Sequence, residues 1–207
     1  MILFADDKEI QINDVRPYLT VKYNEHPEGI RSFIPTILAS DKNIPMCKIN
    51  LVVTGALNAG GRIIAYAVND STRVSKELNK IFHIYYPTGP IFDLVNDSIQ
   101  QNALYILGQD TWKLNGVELS SDQLTIEFSK RLSQPNQAYT LVYDSTLILD
   151  DYLHTYDLYF EALSAKRNKL SRSMFHNDYD ALNIENKKAL KAICKWSLYD
   201  YRFCLKE

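Results

Sequence analysis

The sequence has no excess of charge of either sign and no long apolar run. Its 23 Lys and Arg residues stand against 25 Asp and Glu residues, which gives a formal net charge of -2. A nucleic-acid-binding domain needs a basic face to neutralise phosphates, so this balance argues against a nucleic-acid partner. No stretch approaches the ~20 consecutive apolar residues of a membrane-spanning helix. The sequence therefore predicts no nucleic-acid partner and no membrane span in this chain.

The N-terminus also lacks the features of a signal peptide. Residues 1–7, MILFADD, are acidic and carry neither a basic region nor a long apolar core. Two interpretations stay open. With Met1 as the native start and no leader removed, the protein is expected in the cytoplasm; with a leader or anchor removed, it is expected in the cell envelope.

Cysteine is scarce, with three residues at positions 47, 194 and 204. An odd number excludes a complete disulfide framework, and no CxxC motif or Cys/His cluster is present. Cys194 and Cys204 are able to form a bridge if the chain is exported, and the alternative is that the thiols are free and buried.

What is present is typical of a folded α+β protein, with 46% hydrophobic and 23% charged residues. We expect two small sheet-plus-helix halves, 1–90 and 91–207, joined by a connection at 87–102 that holds a short helix at 91–99. In the first half the patterns predict a strand at 19–23, a short or kinked helix in 30–39, a hairpin of strands 48–53 and 63–68, and a helix at 74–85 that contains His83.

The second half carries stronger local signals. Asn115-Gly116 is a hairpin turn, and Ser120 with Gln123 forms a capping box before a helix with Leu124, Phe128 and Leu132 on its apolar face. The remaining predicted elements are strands 103–107, 111–114, 117–119 and 138–143, a helix at 151–174 and a last helix from Asn183. Both halves run strand–strand–helix, but the parallel is too degenerate to identify an internal repeat.

No group of residues indicates catalysis, cofactor binding or a metal site. His26, His83, His154 and His176 are widely separated, and none lies four residues from another His or Cys. Asp144, Asp150, Asp151 and Asp157 allow a catalytic carboxylate pair, but helix capping by Asp150 or Asp151 is favoured. Gly55 to Gly61 lacks a phosphate-loop pattern and is interpreted as a hairpin turn. We expect a protein that is not an enzyme.

Two segments resemble the periplasmic domain of the ExbD/TolR family of biopolymer-transport proteins. Residues 114–119, LNGVEL, followed by a capped helix and then 138–144, AYTLVYD, are similar to a family core in which a strand pair ends at an NG turn and the next strand closes on an Asp, here Asp144. Residues 167–191 resemble the tail of Bacteroidetes-type members. The matching positions are Arg167, Phe175, Tyr179, Leu182 and Glu185.

The resemblance covers roughly 103–196 and implies a sheet with helices packed on one face, self-association, and contacts with a channel subunit and a TonB-like transducer. It implies a non-catalytic protein of the cell envelope. The family's N-terminal membrane helix and its proton-coupling Asp have no counterpart here, and Asp93 is not assigned that role. Residues 195–199, KWSLY, stand where family members carry a Pro-containing segment.

Residues 61–71 are loosely similar to a hairpin strand of TonB C-terminal domains, which extends as an analogy over 46–86. The alternative to an envelope role is a soluble adaptor that shares the fold without energy coupling. A third interpretation is an enzyme whose site is assembled from distant residues.

Overall fold

The computed structural model describes residues 3–6, 8–31, 33–69, 82–85, 100–132, 134, 137–194 and 198–200. The fold is α+β, as the sequence predicts. The chain forms two compact units, which we call the first unit (1–94 with 148–150) and the second unit (95–147 with 151–207). Predictions for 70–81, 86–99, Pro135, Asn136 and Cys204 lie outside the described residues.

The described residues of the first unit form a two-stranded sheet, a three-stranded sheet and three α-helices. Its elements are, in order, β1 (Leu3–Ala5), β2 (Lys8–Ile10), α1 (Val15–Asn24), α2 (Glu28–Arg31), β3 (Pro35–Asp41), α3 (Met46–Asn58), β4 (Ile63–Asn69) and β5 (Phe82–Tyr85). β1 pairs with β2, and the larger sheet has the order β3-β4-β5.

The predicted hairpin of 48–53 and 63–68 is wrong in its first strand, because residues 46–58 form α3. The β-branched run in this segment suggests a strand, but its buried residues Met46, Ile49, Val53 and Ala56 recur at helical spacing. α3 is the crossover that joins β3 to β4, since two parallel strands need such a connection. Gly60, with φ of 103°, follows the end of α3 and is not part of a hairpin turn.

Three further predictions for the first half are corrected. Residues 19–23 lie in α1, where Val15 and Tyr23 are buried on one face and Pro17 falls in the first turn, which tolerates it. Residues 30–39 contain the end of α2 and most of β3 instead of one helix. His83 belongs to β5, which pairs antiparallel with β4.

The second unit is a five-stranded sheet with three helices. Its elements are, in order, β6 (Gln100–Gly108), β7 (Thr111–Leu114), β8 (Val117–Leu119), α4 (Ser121–Arg131), β9 (Gln137–Val142), α5 (Leu149–Phe175, of which 149–150 belong to the first unit), α6 (Ile184–Ile193) and β10 (Leu198–Asp200). The order is β10-β9-β6-β7-β8, with β9 parallel to both β6 and β10. The predicted strands, capping box and helices of this half are confirmed.

One face of this sheet carries the core. Along β6, Leu104 and Ile106 are buried whereas Tyr105 and Leu107 are exposed, as expected for side chains that alternate between faces. Phe128 of α4 meets Tyr139 of β9 edge-on, with ring centres 5.0 Å apart, and meets Tyr159 of α5 at 5.2 Å. Both helices therefore pack on the same face of the sheet.

The two units contain a structural repeat that the sequence pattern alone did not identify. Its first part is the hairpin and the helix that follows. The turns after β1 and β7 begin with Asp6 and Asn115, whose φ angles are 48° and 50°. The N–H of Gln11 then donates to Asp14 (3.3 Å), as the N–H of Ser120 donates to Gln123 (2.9 Å).

The second part of the repeat is a strand, an Asp turn and a helix. β3 ends at Asp41, and Asp144 follows β9; each Asp stands five positions before the first residue of its helix, α3 or α5. The buried positions of α3 also fall on buried positions of α5, in the order Met46, Ile49, Asn50, Val52, Val53 and Ala56 against Leu149, Tyr152, Leu153, Thr155, Tyr156 and Tyr159.

Among the strands of the second unit, β6 is the one without a described counterpart in the first. In the second unit it lies between β9 and β7 and joins the whole sheet. In the first unit the corresponding strands, β3 and β1, belong to separate sheets.

No helix among the described residues is long and apolar enough to cross a membrane.

The aromatic cluster should carry much of the stability of the second unit. We expect Phe128→Ala to lower its free energy of unfolding by about 3–5 kcal/mol, because a fully buried ring is replaced by a cavity. Ile126→Ala, on the same helix but 54% exposed, should change it by less than about 0.5 kcal/mol. Urea unfolding followed by tryptophan fluorescence measures both, and equal losses in the two variants would contradict this packing.

Candidate functional site

The predicted turn residues Asn115 and Gly116 form the β7–β8 hairpin. Both have positive φ, 50° and 89°, as a type I′ turn requires. The Asn115 side chain donates to Oδ1 of the buried Asn102 (3.0 Å), and Arg131 donates to the same oxygen (2.7 Å). Arg131 also contacts Glu127 (3.3 Å). This network ties the turn to the start of β6 and to α4, so its role is structural.

Asp144 begins the turn between β9 and α5. Its Oδ1 accepts hydrogen bonds from the Thr146 hydroxyl (2.6 Å) and from the Thr146 N–H (2.7 Å). These bonds stabilise the charged carboxylate and lower the pKa of Asp144 below its usual value. Asp41 accepts an equivalent bond from the N–H of Asn43 (2.7 Å). The same turn therefore starts the helix after each parallel strand.

The predicted tail residues Arg167 and Tyr179 are brought together. The Arg167 guanidinium lies 5.7 Å from the centre of the Tyr179 ring, and the ammonium of Lys187 lies 5.8 Å from it. Arg167 also donates to the carbonyl of Cys194 (3.3 Å), and the Tyr179 N–H donates to Asn168 (3.0 Å). Tyr179 thus holds α6 against the C-terminal part of α5.

The other tail residues complete this docking. Phe175 ends α5 and is half-buried, Leu182 is buried, and Glu185 is exposed in the first turn of α6, where a negative charge is favourable. Asp150 and Asp151 lie likewise in the first turn of α5, although neither is its cap. Asp151 accepts from the N–H of Gln109 (3.2 Å).

Cys194 is a buried free thiol, so it does not pair with Cys204. Burial raises the pKa of the Cys194 thiol, which keeps it protonated and unreactive. Among the described residues, no group of three or more His, Cys, Asp or Glu side chains is placed to hold a metal ion. His154 makes a 3.3 Å contact with Asp110 beside Trp112.

The first unit contains a cavity that the sequence did not predict, which we call the β3 groove. It has a volume of about 600 Å³ and is lined by consecutive residues 34–40, by one side of α1, and by Ala5, Asp6 and Ile10 of the β1–β2 hairpin. Neighbouring residues of a strand point to opposite faces, so a pocket on one face would be lined by every second residue. A run of consecutive residues means that the groove follows the edge of β3.

Most side chains of the β3 groove are apolar, and its charged groups lie at one end. Lys22 contacts Asp6 (3.0 Å) and Glu25 (3.8 Å) there. The Tyr18 hydroxyl lies near Asp6 without a well-aligned hydrogen bond; its proximity and that of Lys22 lower the pKa of Asp6. Tyr23 hydrogen-bonds to Thr36 across the floor of the groove.

No family model, curated protein or solved structure matches this chain. The predicted motif residues position the hairpin and the tail of the second unit. Within the described residues, the groove of the first unit has the shape and chemistry of a binding site, because it is apolar, elongated and bordered by backbone groups of a strand edge.

The Asp144 turn gives a test based on pH. We expect Thr146→Val to raise the pKa of Asp144 toward its usual value, because the hydroxyl donor to Oδ1 is lost. Since the folded-state pKa is depressed, the stabilisation by Asp144 is present above its unfolded-state pKa and is lost as pH falls through the folded-state value. A ¹³C NMR titration of the side-chain carboxyl measures this, with Ser145→Ala as the control. An unchanged titration in Thr146→Val would refute the assigned cause.

Proposed function

We propose that this protein is a non-catalytic component of the cell envelope that resembles the periplasmic part of an ExbD/TolR-type biopolymer-transport system. It acts through protein–protein contacts made by the second unit. Its partners are a TonB-like transducer, a channel subunit and further copies of the chain.

The observation that carries this proposal is the order of elements in the second unit. The resemblance implies a strand pair with an NG turn, a helix, a strand closing on an Asp, and a second helix. Residues 103–165 have this order, with Asn115 and Gly116 in the turn and Asp144 after β9. A different arrangement of these residues would have removed the basis of the resemblance.

The open face of the same sheet supports a role in contacts. Tyr105 and Leu107 point away from the core and are 42% and 52% exposed. Large apolar side chains on a solvent-facing sheet favour a protein partner, because covering them removes apolar area from water. Lys113 of β7 lies on this face opposite Glu118 of β8, so the face also carries one charge of each sign.

The second candidate is a soluble adaptor that uses the same face in the cytoplasm. The exposed Tyr105 and Leu107 favour it equally, because they offer the same apolar contact area to a partner in either compartment. The two candidate functions differ in which protein contacts Leu107 and in the compartment where that protein is found.

Photocrosslinking in living cells tests the proposal. A photoreactive amino acid replaces Leu107 in the full chain, and the adducts are identified by mass spectrometry after irradiation. We expect adducts with envelope proteins, namely a TonB-like transducer, a channel subunit or a second copy of the chain.

The matched control carries the same photoreactive residue at Glu161, which is exposed on α5. Adducts at Leu107 that are confined to cytoplasmic proteins would favour the adaptor and overturn the envelope role. The same adducts at both positions, or none at Leu107, would show that the open face is not a contact surface.

A further inference from the structure

The β3 groove lies where the second unit has its central strand. β6 pairs parallel with β9 on one side and antiparallel with β7 on the other. By the repeat, the strands of the first unit that correspond to β9 and β7 are β3 and β1. The groove is bordered by the edge of β3 and by Ala5 of β1, which are the two edges that β6 joins in the second unit.

The strand register of the second unit identifies which single residues of β3 and β1 correspond to those of β9 and β7. Leu104 of β6 lies between Leu141 of β9 and Leu114 of β7. The counterparts of those two residues are Leu38, three positions before Asp41 as Leu141 is before Asp144, and Ala5, directly before the turn residue Asp6 as Leu114 is before Asn115. Leu38 and Ala5 both line the groove.

Smaller side chains in the first unit account for part of the volume of the β3 groove, but not for its course along the edge of β3. Thr36, which lines the groove, stands in the first unit where the second has the larger Tyr139. That exchange leaves the strand pairing unaffected. Among the described residues, no strand pairs with the outer edge of β3, so the N–H and C=O groups of that edge face the groove.

We propose that the β3 groove binds one extended segment of a partner protein as an added β-strand. The segment runs parallel to β3 and antiparallel to β1, and it turns the two sheets of the first unit into one. This inference rests on the repeat within the chain and does not depend on the proposed envelope role.

The groove defines the chemistry of the segment. Side chains that face α1 and α3 are apolar at every second position, as Leu104 and Ile106 are in β6, because the lining there is apolar. The segment contains no proline, which would remove a hydrogen-bond donor from the ladder. It is uncharged over its centre, since Lys22 at the end of the groove is already paired with Asp6.

A second copy of the chain is a poorer occupant. Its β6 is the central strand of its own second unit. A two-fold pairing of β3 with β3 would run antiparallel, whereas β6 is parallel to its neighbour β9.

Hydrogen exchange on the full chain tests the inference with a synthetic peptide of sequence QQNALYILG, residues 100–108. We expect the amides of β3 and β1 that point into the groove to exchange about tenfold more slowly when the peptide stands at about ten times its dissociation constant. The same peptide with Leu104→Pro is the matched control and should leave exchange unchanged. Equal exchange with both peptides up to solubility would overturn the proposal.

A fusion keeps the test decisive if the free peptide binds weakly. Residues 100–110 are placed directly before Ile2, so that the two-residue turn of the second unit leads into the first unit and Leu104 stands ten positions before Ala5, as it does before Leu114. Slow exchange of β3 in the fusion and with the free peptide supports the proposal. Slow exchange in the fusion alone would overturn assignment to a separate partner. Slow exchange along the whole outer edge of β3 in the unmodified protein, as monomer or dimer, would show that the groove is already filled by this chain.

Discussion

Parallel pairing of strands is the constraint on which both units depend. Two parallel neighbours cannot be joined by a tight turn, so the chain must cross over and return, and a helix is the usual crossover. α3 makes this connection between β3 and β4, whereas α5 and α6 lie between β9 and β10. In each unit an Asp at or just after the end of the strand that precedes the long helix, Asp41 for β3 and Asp144 for β9, accepts a hydrogen bond from the N–H two residues later. The helix then starts after the same short turn. The aromatic cluster and the buried residues of α3 are consequences of covering these strands.

The second unit was predictable from sequence because its signals are local. The NG turn and the capping box at Ser120 each specify a structure within a few residues. The first unit was not predictable from sequence, because the secondary structure of its segments depends on residues that are distant in the chain. The β-branched run at 48–53 becomes a helix since it must bridge β3 and β4, and residues 35–39 become a strand because β4 pairs with them.

The same reasoning explains which parts of the candidate site were found. The turns that contain Asn115, Gly116 and Asp144 have a geometry that is determined by residues adjacent in the sequence. The resemblance groups Arg167 with Tyr179, and the structure adds Lys187, whose ammonium contacts the same Tyr179 ring. The β3 groove carries no local signal, because it exists only where the edge of one sheet faces another. A comparison of the spacing from Asp41 to Met46 with that from Asp144 to Leu149 is the signal that would have revealed the repeat.

The repeat gives the two units different roles. The second unit contains its central strand, β6, and presents an open sheet face with Tyr105 and Leu107. The first unit has the corresponding strands and helices around a groove in the position of that strand.

The most direct measurement is amide exchange, residue by residue, in the unmodified monomer. β9 is paired on both sides at 139–141, so its amides there should all exchange slowly. In β3, slow and fast amides should alternate, since only every second N–H points to β4. Uniformly slow exchange along β3 would contradict the account.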